Sequence, residues 1–151
     1  MDDKGYNELV DKVTKLIPKE EYKSIMSQDM CELDHSFLGF LEVYNSVLSF
    51  VPKHYTIVDL GCYMAAQAYL FKDYQKYIGV DVCLLNRFKP LNTEHYYCSI
   101  QQFIENHINN LNLDTTFAIC SFVPDFKSVE LARRKFKNIL VYYPSGIRRV
   151  V

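Results

Sequence analysis

Hydrophobic residues recur at helical spacing in two N-terminal segments of the chain. In the first they fall at positions 6, 9, 10, 13, 16 and 17, and Pro18 then closes the segment. The second, over residues 37–50, carries an apolar stripe that includes Phe37 and Leu41 and is followed by Pro52. The pattern therefore predicts two amphipathic helices, over 6–17 and 37–50, joined by a polar link.

The pattern changes at residue 55, where short apolar runs begin to alternate with helical stretches. This alternation is typical of βαβ units and a parallel sheet. The five predicted strands cover residues 55–60, 77–81, 95–98, 116–121 and 138–143. The helices predicted between them cover 65–72, 100–111 and 129–136, with about one further turn at 84–88 before Pro90.

Length, composition and charge narrow the class of protein. A chain of 151 residues is the size of one domain, here divided into N-terminal helices (1–52) and an α/β core (53–151). Its 49% hydrophobic content and net charge of -1 fit a globular protein and give no support for nucleic-acid binding. No signal peptide or membrane span is evident, and five cysteines without a C-x-x-C pair fit reduced thiols, so we expect a cytoplasmic protein.

The most informative segment joins the first predicted strand to the helix after it. Asp59 lies near the end of the strand, Gly61 follows, and small residues open the helix. In open parallel sheets ligands bind at the carboxyl ends of the strands, and such a turn offers them backbone N–H groups. Gly61 removes a side chain from the closest point of approach. We therefore expect a ligand site with free backbone amides at this turn.

A second carboxylate, Asp81, ends the second predicted strand 20 positions after Gly61. A carboxylate in that place can accept hydrogen bonds from both hydroxyls of a ribose. The alternative is that Asp81 only caps the following helix, but its pairing with the Asp59 segment favours the ribose. A dinucleotide site is disfavoured because G-x-G-x-x-G is absent.

These residues resemble the first motif of class I S-adenosylmethionine-dependent methyltransferases, an apolar strand followed by D-x-G-x-G-x-G. Asp59 and Gly61 match the motif, Asp81 matches the following acid, and the resemblance spans residues 55–143. It implies a Rossmann-like three-layer α/β sandwich whose mainly parallel sheet has five strands in the order 3-2-1-4-5. Two N-terminal helices would lie over the ligand edge. It also implies S-adenosylmethionine as cofactor and S-adenosylhomocysteine as product.

The resemblance implies roles for residues at the strand ends. Gly61 would face the methionine part of the cofactor, Asp81 the ribose hydroxyls, and Asp59 would hold the loop and the methionine amino group. Tyr63 and Ala65 depart from the motif, since they stand at its second and third glycines. The implied cofactor-binding set is Asp59, Gly61, Cys62, Tyr63, Asp81, Val82, Cys98, Ser99 and Cys120.

The end of the third predicted strand also departs from the family. Where the family commonly has an acidic residue that contacts the adenine amino group, this chain has Cys98 and Ser99. The Ser99 hydroxyl can accept that hydrogen bond. Its capping-box spacing with Gln102 favours a helix cap instead.

The candidates for catalysis are polar residues near the end of the fourth strand, Ser121 and Asp125. Methyl transfer depends mainly on alignment, and a base is needed only when the acceptor holds its proton tightly. The alternative for Asp125 is to cap the next helix. His35, before the second helix, is a further candidate base, although Asp34 as an N-cap followed by a surface histidine is the simpler interpretation.

Four cysteines each lie at or just past the end of a predicted strand: Cys62, Cys83, Cys98 and Cys120. Zinc binding or oxidant sensing by these thiols is the alternative to packing beside a cofactor. Because protein zinc sites usually draw on C-x-x-C turns, we predict no metal site.

The sequence thus predicts a methyltransferase whose acceptor, a small molecule or a protein, is unknown. The alternative is a methyltransferase-like binding module without catalysis, either a cofactor sensor or a protein-interaction domain, which Tyr63, Ala65 and the short segment 144–151 favour. That segment leaves room for a turn and one short strand. An exposed edge at the fifth strand would favour a homodimer.

Overall fold

Six strands form a single sheet in the computed structural model, which describes residues 3–28, 41–121, 123–142 and 148–150. The sheet order is β3-β2-β1-β4-β5-β6; the first five strands are parallel, and β6 is antiparallel to β5. The predicted order 3-2-1-4-5 is therefore confirmed. The strands are β1 Thr56–Leu60, β2 Lys76–Asp81, β3 Thr93–Tyr97, β4 Thr116–Ser121, β5 Ile139–Tyr142 and β6 Arg148–Val150.

The sixth strand changes the expected edge of the sheet. It pairs with β5 so that Leu140 lies opposite Val150 and Tyr142 opposite Arg148. The edge of β5 is thus covered within the chain, because β6 takes up its outward backbone groups. The expectation of an exposed edge there is wrong, and the reason it gave for a homodimer is removed.

In the part of the chain that the structure describes, five α-helices and three short 3-10 helices accompany the sheet. No helix of the described residues is both long and apolar enough to cross a membrane. The α-helices are α1 Asp3–Leu16, α2 Lys19–Met26, α3 Leu41–Val47, α4 Ile100–His107 and α5 Phe126–Lys135. The 3-10 helices are Ala66–Phe71, Ile108–Asn110 and Leu113–Thr115.

The N-terminal part differs from the predicted pair of helices. Helix α1 matches the first of them, but α2 follows Pro18 at once, where a polar link was expected. Its first turn carries Glu20 and Glu21, which suit the positive end of the helix dipole. Helix α3 lies within the second predicted helix but ends at Val47, because residues 48–50 form a turn instead. The predicted residues 37–40, with Asp34 and His35, lie outside the described residues.

Two of the later helix predictions are also corrected. The segment after β1 is a 3-10 helix, Ala66–Phe71, and not the expected α-helix over 65–72; it begins only after Ala65, whose left-handed backbone cannot be part of a right-handed helix. The expected turn at 84–88 is an irregular connection instead. Arg87 and Phe88 in this connection are buried, so the connection packs against the rest of the protein without forming a helix.

Side chains from alternate positions of the central strands enter two separate hydrophobic clusters. Ile57 and Ile119 join a cluster with residues of α1, α2, α3 and the 3-10 helix Ala66–Phe71. Val58 and Ala118 join a second one with residues of α4 and α5. Strands β1 and β4 are therefore buried on both faces, which is typical of central strands in a parallel sheet. Their carboxyl ends form the rigid base of the candidate site.

Candidate functional site

The turn after β1 has a left-handed backbone at three alternate residues. The φ angles are +86° at Gly61, +50° at Tyr63 and +62° at Ala65. These are the three glycine positions of the D-x-G-x-G-x-G motif, yet only the first is glycine. A left-handed conformation costs a residue with a side chain roughly 1–2 kcal/mol. Strain of this kind is concentrated at functional sites in proteins.

The backbone amides of this turn are already paired. The Gly61 and Cys62 N–H groups both donate to the Val80 carbonyl, at 2.7 and 3.1 Å, and the Tyr63 N–H donates to Asp81 Oδ2 at 2.9 Å. The expectation of free amides is therefore wrong for these three residues. The left-handed turn directs them toward the end of β2 instead of toward a ligand.

Asp81 connects the turn to the segment that follows β2. Its Oδ1 accepts a hydrogen bond from the Cys83 N–H at 2.9 Å, while Oδ2 accepts that of Tyr63. No helix lies between β2 and β3, so the alternative in which Asp81 caps a helix is wrong. Asp81 is half-buried, and Val82 beside it is 67% exposed. Each carboxylate oxygen has a second lone pair, so both can accept a further hydrogen bond.

Asp59 lies at the centre of a buried hydrogen-bond network. Its carboxylate accepts from the Tyr44 hydroxyl at 2.9 Å, from Gln67 Nε2 at 2.8 Å and from the Tyr77 hydroxyl. Gln67 Nε2 also donates to the Cys62 carbonyl at 3.0 Å, which gives Asp59 a geometric basis for holding the loop. Burial raises the pKa of Asp59 to about 6. Because Asp59 is fully buried, it presents no surface for direct contact with a cofactor.

The strand-end cysteines are thiols whose surroundings oppose ionisation. Burial raises the pKa of Cys120 to about 12, that of Cys62 well above its ordinary value, and that of Cys98 to a smaller extent. Thiols bind metals and react as thiolates, so these three are poorly suited to either role. Within the ranges described, no three His, Cys, Asp or Glu side chains are placed to hold a metal ion.

Ser99 caps α4, as its spacing with Gln102 predicted. The Ser99 hydroxyl accepts a hydrogen bond from the Gln102 N–H at 3.0 Å, and Gln102 Oε1 accepts one from the Ser99 N–H at 2.9 Å. The capping box is therefore confirmed. Adenine contact by Ser99 or Cys98 stays a prediction.

The two catalytic candidates are in different surroundings. Ser121 ends β4 and is buried; its hydroxyl makes no hydrogen bond of standard geometry with the described residues, although it lies close enough to Tyr44 to oppose the rise in that tyrosine's pKa. Asp125 is the N-cap of α5 and accepts from the Lys127 N–H and the Ser128 hydroxyl. The capping alternative is confirmed. The bond from Ser128, above all, lowers the pKa of Asp125, which makes it a weaker base.

Arg87, which the sequence patterns did not indicate, joins the ends of β2 and β3. Its buried guanidinium donates to four backbone carbonyls and lies 4.0 Å from the centre of the Tyr97 ring. The apolar residues Leu85 and Phe88 close to this arginine are a weak sequence signal for its burial, since Asn86 and Lys89 are polar. The four carbonyls are those of Gly79, Asp81, Cys83 and Tyr96.

Gly79, inside β2, makes room for a histidine and a cysteine. A Cβ at this position would lie 2.6 Å from His95 Nδ1 and 2.9 Å from Cys62 Sγ. His95 Nε2 is in turn 2.8 Å from the Phe88 carbonyl. The absence of a side chain at Gly79 therefore lets β3 and the β2–β3 connection pack against the turn after β1.

Comparison with known proteins gives limited information. No protein-family model matches the chain, and no curated protein matches it. Among solved structures it is similar to coclaurine N-methyltransferase, crystallised with N-methylheliamine and SAH, at 19% identity and a TM-score of 0.49. The match covers 90% of this chain and 50% of the other, so this chain spans about half the length of that enzyme.

Proposed function

We propose that the chain binds S-adenosylmethionine at the carboxyl edge of the sheet, between the turn after β1 and Asp81, and transfers its methyl group. The observation that carries this proposal is the left-handed backbone at Gly61, Tyr63 and Ala65. Two of these residues hold that conformation at an energetic cost, which only the surrounding structure can sustain. The backbone is thus left-handed at all three glycine positions of the motif, although only Gly61 is a glycine.

The paired amides favour this ligand over a dinucleotide or another phosphate-bearing cofactor. Phosphate groups bind where a turn presents free N–H donors to them. Here the amides of Gly61, Cys62 and Tyr63 are donated within the protein. S-adenosylmethionine carries no phosphate, so its binding does not require free amides for a phosphate group at this turn.

The side chains around the turn suit a nucleoside. The Asp81 carboxylate retains lone pairs for two ribose hydroxyls, and Val82 offers exposed apolar surface beside it. When bound, S-adenosylmethionine supplies an activated methyl group. Neither Ser121 nor Asp125 is placed as a strong base, so we expect the chain to act by aligning an acceptor that needs little deprotonation.

A second candidate function is a binding module that holds the cofactor, or S-adenosylhomocysteine, without turnover. The use of Asp125 as a helix cap favours it, because that leaves the acid following β4 committed to structure. Both candidates need the same cofactor site. They differ in whether methyl transfer follows binding.

Radiolabelled methyl transfer separates the two candidates. The protein is incubated with methyl-labelled S-adenosylmethionine and fractionated cell extract, and labelled products and S-adenosylhomocysteine are quantified beside the Asp81→Ala variant. Turnover that is lost in the variant supports the methyltransferase. Cofactor binding without turnover supports the binding module, and absence of binding contradicts both.

A further inference from the structure

Helix α2 contacts both flanks of the candidate site through one carboxylate. Glu21 accepts a hydrogen bond from the Tyr69 hydroxyl at 2.8 Å and another from the Lys89 N–H at 3.0 Å. Tyr69 belongs to the 3-10 helix that follows the turn after β1, and Lys89 belongs to the β2–β3 connection. Glu21 therefore joins the two segments on either side of the proposed cofactor position.

A second residue of the same region, Gln28, hydrogen-bonds with the β2–β3 connection. Gln28, just beyond α2, donates from Nε2 to the Asn86 carbonyl at 3.0 Å and accepts the Asn86 N–H on Oε1 at 2.7 Å. This two-point pairing resembles that of a neighbouring strand. It takes up backbone groups that residues 82–92, which form no helix or strand, do not satisfy among themselves.

The held connection carries the residues that define the nucleoside side of the site. It begins at Val82 and Cys83, directly after Asp81, and the Cys83 N–H donates to Asp81 Oδ1. Phe88 ties it back to the first flank, since its N–H donates to the Met64 carbonyl at 2.8 Å. A shift of the connection would therefore move the Cys83 N–H, one of the two donors to Asp81.

We propose that Glu21 and Gln28 form a latch that holds the two flanks of the candidate site at a fixed separation, and so sets its affinity for S-adenosylmethionine without contacting it. The effect on affinity rests on the proposed function, whereas the latch itself does not. Glu21 and Gln28 are both positioning residues. They act through Tyr69, Lys89 and Asn86, with which they hydrogen-bond.

Hydrogen–deuterium exchange of the full chain tests the latch. Glu21→Ala and Gln28→Ala are compared with Glu20→Ala. Glu20 is also an acidic residue of the first turn, but its side chain makes no hydrogen bond with the described residues. Glu21→Ala is expected to speed exchange about tenfold in both 61–71 and 82–92, and Gln28→Ala in 82–92. Exchange in β1 and β4 should not change, which separates local loosening from global unfolding.

Titration of the same variants with S-adenosylhomocysteine tests the link to affinity. Both latch variants are expected to bind about 3- to 10-fold more weakly than Glu20→Ala. Unchanged exchange in both segments overturns the latch. Faster exchange with unchanged affinity overturns its control of the site. If the unmodified protein does not bind the ligand, the proposed function fails, and faster exchange confined to the two flanks still supports the latch.

Discussion

The Tyr63 N–H donates to Asp81 Oδ2 at 2.9 Å, so the turn after β1 is held by the same carboxylate that we assign to the ribose. The Cys83 N–H occupies the other oxygen. One side chain thus fixes the two backbone segments that border the site. A group with this double role should affect both stability and ligand binding.

Replacing Asp81 should therefore lower stability even without ligand. Asp81→Ala removes the acceptor of two backbone N–H groups, and we expect the free energy of unfolding to fall by about 1–3 kcal/mol. Asp81→Asn keeps one carbonyl oxygen as an acceptor, so its free energy of unfolding should fall less. Urea unfolding of the three proteins measures the difference, and equal stability of all three would contradict this role.

Tyr63 provides a test of the backbone strain. Tyr63→Gly and Tyr63→Ala lose the same ring, but only glycine adopts the φ of +50° without a steric penalty. We expect Tyr63→Gly to be more stable than Tyr63→Ala by about 1 kcal/mol, the reverse of the usual order of these residues in regular structure. Thermal unfolding of the pair checks it; an alanine variant at least as stable as the glycine variant would show that the turn is unstrained.

Asp59 should make stability depend on pH. Burial raises its pKa from the ordinary 3.8 to about 6, so its favourable contribution is complete below pH 3.8 and is lost as pH rises through 6. Relative to Asp59→Asn, the protein should lose about 3 kcal/mol between pH 3.8 and neutral pH. Urea unfolding of both proteins across this pH range measures the difference between their free energies of unfolding. A difference that does not change with pH would contradict this prediction.

Gly79 should tolerate no side chain while His95 is present. The Cβ of Gly79→Ala would lie 2.6 Å from His95 Nδ1, so we expect a loss of roughly 1–3 kcal/mol from forced displacement. The double variant with His95→Ala should recover part of that loss, because the ring is then absent. A double-mutant cycle of unfolding free energies measures the coupling. Strict additivity would mean that Gly79 has another role.

The strands of the sheet could be predicted from the sequence because each one has a local hydrophobic pattern. The run from Ile57 to Leu60 is apolar apart from Asp59 and is followed by Gly61, and the alternation with helical stretches predicts a parallel sheet, while the strand order was implied by the family resemblance. Helix α2 was missed because Ile25 is its only buried residue. Pro18 followed by Glu20 and Glu21 was the available signal.

The surroundings of the site could not be predicted because they depend on long-range contacts. Tyr44 and Asp59 are 15 positions apart and share a hydrogen bond only because α3 packs beside β1. Nothing near Asp59 in the sequence indicates that its carboxylate is buried rather than exposed to ligand. The same holds for Arg87, whose carbonyl partners lie on two strands and the connection between them.

Isothermal titration with S-adenosylhomocysteine is the most direct test of the proposed site. We expect micromolar binding by the unmodified protein, strong weakening in Asp81→Asn, and no comparable binding of NAD, whose phosphates find no free amides at Gly61, Cys62 and Tyr63. Absence of S-adenosylhomocysteine binding, or binding that is unaffected by Asp81→Asn, would contradict the assignment of the cofactor to this edge of the sheet.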